Sequence, residues 1–136
     1  MRGAHFTIAV GAAVAALALT GCGGGDEEAT PTDTGTTTTP PVGATLQGSV
    51  GPGFDISLTT QDGQDVTTLA PGSYTIEVDD MASNHNFHLT GPGVDEKTEV
   101  AEEEKETFQV DLRAGTYTFV CDPHSSSLDG SFEVTG

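Results

Sequence analysis

The residues best equipped for chemistry stand at Cys121-Asp122-Pro123-His124. The run before them alternates: Tyr117, Phe119 and Cys121 share one parity, Thr118, Val120 and Asp122 the other. Successive side chains of a strand point to opposite faces, and the face with two aromatics is the expected core face. Cys121 therefore points inward at the strand end. Pro123 has no N–H to give a ladder and closes the strand. His124 falls in a short loop able to bend its imidazole back toward the sulfur. A soft thiolate beside a borderline imidazole suits copper or, failing that, zinc.

Such a pair needs a partner, and His85-Asn86-Phe87-His88-Leu89 offers one. His85, Phe87 and Leu89 share a parity. If Phe87 and Leu89 face the core, His85 enters from inside and His88 looks outward. Parity favours His85 as the third ligand.

Together the two stretches resemble the plastocyanin/azurin (cupredoxin) family of blue copper proteins. Its motifs are an early His-Asn and a late Cys-x-Pro-His followed by an axial Met and a Gly. Here they read His85-Asn86, Cys121-Asp122-Pro123-His124, Leu128 and Gly130, and the likeness spans the last two thirds or so of the chain. The resemblance implies one copper ion cycling between Cu(I) and Cu(II), with His85, Cys121 and His124 as equatorial ligands. It also implies that Asn86 ties the His85 strand to the cysteine loop. The departure is at the axial position, where Leu128 offers no donor atom and a three-coordinate site is expected. Met81 reads as a loop or core residue, and the Asn84 carbonyl is an alternative weak axial contact.

The chain has 136 residues, 21 acidic against 4 basic side chains and a net charge of −17. That length suits one small domain. Residues 1–21 read as a signal peptide: Arg2 supplies a positive start and Phe6 to Leu19 an apolar stretch short for a bilayer. It ends in Leu19-Thr20-Gly21-Cys22, which resembles the lipobox of bacterial lipoproteins and implies that Cys22 is lipidated. The competing reading is an ordinary secretory signal with a coincidental cysteine. With Cys22 acylated, Cys121 is a lone thiol outside the cytoplasm, where only burial or a metal bond protects it from oxidation. Residues 22–43 form a Gly/Thr/Pro-rich tether without apolar periodicity, expected to be disordered. The expected location is extracytoplasmic, lipid-anchored to the cell membrane.

Residues 44–136 read as an all-β, Greek-key sandwich of about 7–8 strands, because short alternating runs are cut by Gly, Pro and Asp signals. Expected strands include Thr45 to Val50, a run with Phe54, Ile56 and Leu58 on one face, and a weak strand near Val66 to Leu69. Others lie around Tyr74 to Val78, His85 to Thr90, Phe108 to Leu112, Tyr117 to Cys121 and Phe132 to Val134. Asp62-Gly63 marks a hairpin turn. A brief helical turn is expected around Val100 to Glu104. The echo of Leu69-Ala70-Pro71-Gly72-Ser73-Tyr74 in Leu112-Arg113-Ala114-Gly115-Thr116-Tyr117 suggests two tyrosine corners, where a phenol bonds backbone a few residues upstream.

The run Asp95 to Glu106 holds Asp95, Glu96, Glu99, Glu102, Glu103, Glu104 and Glu106. It reads either as a solvated edge that blunts strand pairing or as a surface steering a basic redox partner such as a cytochrome or oxidase. The negative charge argues against nucleic acid and anionic lipid surfaces. An oxidase or nitrite-reducing enzyme needs further copper ions and many more histidines than the three outside the signal peptide. A non-enzymatic one-electron carrier is the leading expectation. Copper delivery and a metal-free interaction module are the alternatives. Losing a weak thioether favours Cu(I), so Leu128→Met should lower the reduction potential of the copper-loaded protein, measured by voltammetry.

Overall fold

Alternating burial along short strands builds two sheets that face each other across one apolar layer. The computed structural model describes residues 38–136; the expected signal peptide, Cys22 and most of the tether lie outside the described residues. Nine strands follow in order: β1 (Thr45–Val50), β2 (Ile56–Thr60), β3 (Thr68–Leu69), β4 (Gly72–Asp80), β5 (His88–Gly91), β6 (Val94–Lys97), β7 (Glu104–Leu112), β8 (Gly115–Val120) and β9 (Asp129–Val134). A four-stranded sheet runs β2-β1-β4-β7 and a five-stranded sheet β3-β9-β8-β5-β6. The pairs β1/β4 and β3/β9 are parallel and the others antiparallel. The fold is an all-β sandwich, as the spacing of turn signals requires.

The core is the inward parity of both sheets. Leu46, Tyr74, Ile76, Val78, Phe108 and Val110 come from the first, and Leu89, Tyr117, Phe119 and Phe132 from the second. Phe87 stacks on Phe119 with ring centroids 5.6 Å apart and planes 6° from parallel. Tyr117 stacks on Phe132 in the same way at 5.2 Å. Each ring buried this way removes on the order of 150–250 Å² from water, the largest favourable term a small sandwich has.

Several elements differ from the sequence reading. The strand expected over His85 to Thr90 begins only at His88, and residues 81–87 form a turn and an extended connection. Phe54 lies before β2 in a bend and is exposed, because the turn through Gly51-Pro52-Gly53 takes it off the ladder; only Ile56 and Leu58 pack inward. β6, where no strand was named, is an edge strand that carries the start of the acidic run. β7 starts at Glu104, so the helical turn expected around Val100 to Glu104 is a tight turn feeding a strand. In both cases strand pairing on a neighbour supplies what local propensity does not. The weak strand near Val66 shrinks to Thr68–Leu69, with Val66 still buried. Hydrogen bonding begins slightly before the expected domain start, since Gly43 N donates to Ser73 O.

Both tyrosine corners are present. The Tyr74 hydroxyl donates to Ala70 O at 3.0 Å. The Tyr117 oxygen accepts from Arg113 N at 2.9 Å, with the carbonyls of Pro92 and Arg113 at 3.0 and 3.2 Å as acceptors for its proton. Tyr117 thus closes the turn before β8 and clips the β5–β6 hairpin to it. Tyr117→Phe keeps the ring and strips the hydroxyl. It should cost about 1–2 kcal/mol of unfolding free energy, read from urea denaturation of the metal-free protein.

Candidate metal centre

One end of the sandwich collects the ends of β1, β4 and β8 and the start of β5, and the polar side chains of the domain's chemistry gather there. Cys121 follows β8 directly and, as parity requires, is fully buried. After it the chain makes a 3-10 turn over Asp122–His124, with Pro123 inside it. His124 N donates to Cys121 O at 2.9 Å, Leu128 N to His124 O at 2.9 Å, and Cys121 N to Leu128 O at 2.9 Å. The loop is therefore closed on itself, with the sulfur and the His124 ring on the same side.

His85 comes from the connection between β4 and β5 and is 1% exposed. Its Nδ1 lies 3.2 Å from His124 Nδ1 and 3.6 Å from Cys121 Sγ, and Sγ lies 3.5 Å from His124 Nδ1. Among the described residues these three form the one cluster of this kind able to hold an ion. A point equidistant from the three atoms lies roughly 2 Å from each, close to metal–nitrogen bonds of about 2.0–2.1 Å and slightly short of a metal–sulfur bond of about 2.3 Å. A small outward shift of the sulfur would let the three atoms hold an ion between them. Two imidazoles and a thiolate are the donor set expected of a trigonal copper site. The residues present fit the group.

Asn86 does the tying that the resemblance implies. Its Nδ2 donates to Asp122 Oδ2 at 2.9 Å, and its Oδ1 accepts from Asp122 N at 2.8 Å. Leu128 is buried, 2% exposed, and its carbonyl anchors Cys121 N. Met81 sits at the surface, its N–H donating to Val50 O. Gly130, the last residue of the motif, lies in β9 under Phe119; a Cβ there would stand 2.3 Å from the ring. Gly51 (φ +75°) lets the β1–β2 turn pass beside His85, where a Cβ would meet Ala82 at 2.8 Å.

Two residues have more to do than their sequence pattern suggested. Phe54, 66% exposed, sets its ring edge-on against both imidazoles, with centroids 5.3 Å from His85 and 4.9 Å from His124. Its alternation with Ile56 and Leu58 pointed it to the core, so no local signal could place it here. His88 turns away from the core as expected, but it is clasped. Its Nδ1 lies 2.7 Å from Asp122 and its Nε2 2.7 Å from Asp95. Burial works against protonation of His88, yet the two carboxylates outweigh it and hold the imidazole above its usual range. Burial likewise works against ionisation of Asp122, and its bonds to His88 and Asn86 win, holding it below the usual carboxylate range.

No family model matches the sequence, and no curated protein matches it. Solved structures do. A methionine-to-glutamine mutant of rusticyanin aligns with 67% of this chain and 76% of its own at 20% identity, with a TM-score of 0.50. Rusticyanin from Thiobacillus ferrooxidans aligns over 67% and 76% at 21% identity and 0.47. Reduced auracyanin from the photosynthetic bacterium Roseiflexus castenholzii aligns over 71% and 100% at 15% identity and 0.49. At 20% identity and a TM-score of 0.50, the first of these likenesses speaks to the fold alone, a cupredoxin-like sandwich.

A histidine whose folded pKa is raised stabilises the protein fully below its unfolded value near 6.5 and loses that contribution as pH rises through the folded value. The urea midpoint of the metal-free protein should therefore fall as pH rises above about 6.5, and fall less in His88→Gln.

Proposed function

We propose that this protein is a blue copper electron carrier, held outside the cell membrane by a lipid on Cys22. The observation that supports it most directly is the triangle of His85 Nδ1, Cys121 Sγ and His124 Nδ1, with sides of 3.2 to 3.6 Å, at the buried end of a cupredoxin sandwich. A single copper ion bound there supplies a Cu(I)/Cu(II) couple. The chain's own residues supply the rest. Cys121 and His85 are sealed from water, which limits solvent reorganisation when the charge changes. The Asn86–Asp122 exchange and the self-closed cysteine loop fix the donor atoms, so neither oxidation state can impose its own geometry on them. Leu128, buried in the same loop, offers no donor atom, so a copper ion held here would have three protein donors, a set that would favour Cu(I).

Of the three proposed ligands only His124 is partly exposed, with the Phe54 ring beside it. It is the short way out for an electron. β6 and β7 are edge strands of the two sheets, and they and their connection carry Glu96, Glu99, Glu102, Glu103 and Glu106. Those edges suit a basic redox partner, a cytochrome or an oxidase, whose approach salt would slow. The carrier role calls for no reaction at the centre beyond gain and loss of one electron, so the protein is not an enzyme.

Addition of Cu(II) to the purified protein should give an intense visible band from thiolate-to-copper charge transfer. Cys121→Ser should abolish the band while the far-ultraviolet circular dichroism stays that of a β-sandwich. A colourless wild type that still folds would overturn the copper reading.

A further inference from the structure

Residues 81–87 carry His85 and Asn86, yet belong to no strand ladder. Something else must hold them, and the hydrogen bonds converge on a residue outside the motif. Thr98 lies in the β6–β7 connection and is 1% exposed. Its N–H donates to Phe87 O at 3.1 Å, its carbonyl accepts from Asn86 Nδ2 at 3.4 Å, and its hydroxyl accepts from Phe87 N at 2.9 Å. All three bonds go to the two residues that follow His85.

The hydroxyl proton goes elsewhere. Thr98 Oγ1 donates to Asp80 Oδ2 at 2.6 Å, and the other oxygen of that carboxylate accepts from Ala82 N at 3.3 Å. Asp80 ends β4 and is 2% exposed, in register with Val50 and Glu104. A hydroxyl has one proton and two lone pairs, so with its proton drawn to the carboxylate it must turn a lone pair to the Phe87 N–H. One buried carboxylate thus braces the His85 segment at both ends, directly at Ala82 and through Thr98 at Phe87. Burial pushes the Asp80 carboxyl above its usual range, and the bonds from Thr98 and Ala82 oppose that only in part. A buried acid has a desolvation cost that an apolar residue would not, and no electron-carrying role explains its place here.

We infer that Thr98, oriented by Asp80, is a positioning residue of the metal centre: it fixes the segment that presents His85 and Asn86, whether or not metal is bound. The inference rests on the proposed copper site only for what the positioning is for. Thr98→Val keeps the shape and removes the hydroxyl; Thr98→Ser keeps the hydroxyl. In the metal-free full chain, amide hydrogen exchange at Phe87 should speed up roughly tenfold or more in the valine variant, the scale of one lost buried hydrogen bond. Exchange at Phe119 and Phe132 should stay as in the wild type, and Thr98→Ser should restore protection at Phe87. With copper added, the valine variant should also show a shifted charge-transfer band and release Cu(I) to a chelator several-fold faster, on the order of the same lost bond, again rescued by serine. Thr98→Ala is read in the same way if the valine variant does not fold.

Unchanged protection at Phe87, a uniform loss at all three amides, or a serine variant no better than valine would overturn the inference. A variant set that loosens locally as expected but never turns blue would sink the copper reading and leave the positioning role standing.

Discussion

Asn86 and Asp122 exchange two hydrogen bonds across the end of the sandwich, and the metal centre depends on that exchange. One partner adjoins His85 and the other adjoins Cys121, so the donors of two distant segments are referenced to each other without the help of an ion. The same Asp122 carboxylate accepts from His88, whose other nitrogen faces Asp95. Each polar group here has its desolvation offset by a neighbour, and no buried side-chain nitrogen or oxygen among the described residues lacks a partner. A fully satisfied polar network is stiff, because any displacement leaves a donor or acceptor stranded in a low dielectric.

Stiffness suits the electron carrier proposed above. A site that cannot relax toward the preference of either oxidation state has little to reorganise when the charge changes. The hydrocarbon around it serves the same end. Phe87 stacks on Phe119 in the apolar layer, Leu128 is buried in the loop that follows Cys121, and Phe54 lies edge-on against both imidazoles from the solvent side. The sandwich is small, and the tyrosine corners supply part of the rigidity that a larger core would give. Tyr117 joins three separate backbone groups with one oxygen atom.

The acidic run has two roles that do not conflict. On β6 and β7 it lies along exposed sheet edges, where like charges discourage edge-to-edge pairing with another molecule. One of its members, Asp95, also reaches back to His88 and so touches the network behind the cysteine loop.

The sequence by itself determined the sandwich class, the inward face of the strand before Cys121, both tyrosine corners and the identity of the clustered side chains. Each is a matter of local parity, spacing or turn chemistry, which a single segment carries within itself. Tertiary structure alone decided the rest. That His85 lies off the strand, that β6 exists, that Phe54 leaves its strand to sit on two imidazoles, and that Thr98 and Asp80 brace the ligand segment all depend on partners far along the chain. Phe54, Asp80 and Thr98 have ordinary local patterns. What they do is fixed by which distant group each one meets, and no local periodicity encodes a meeting.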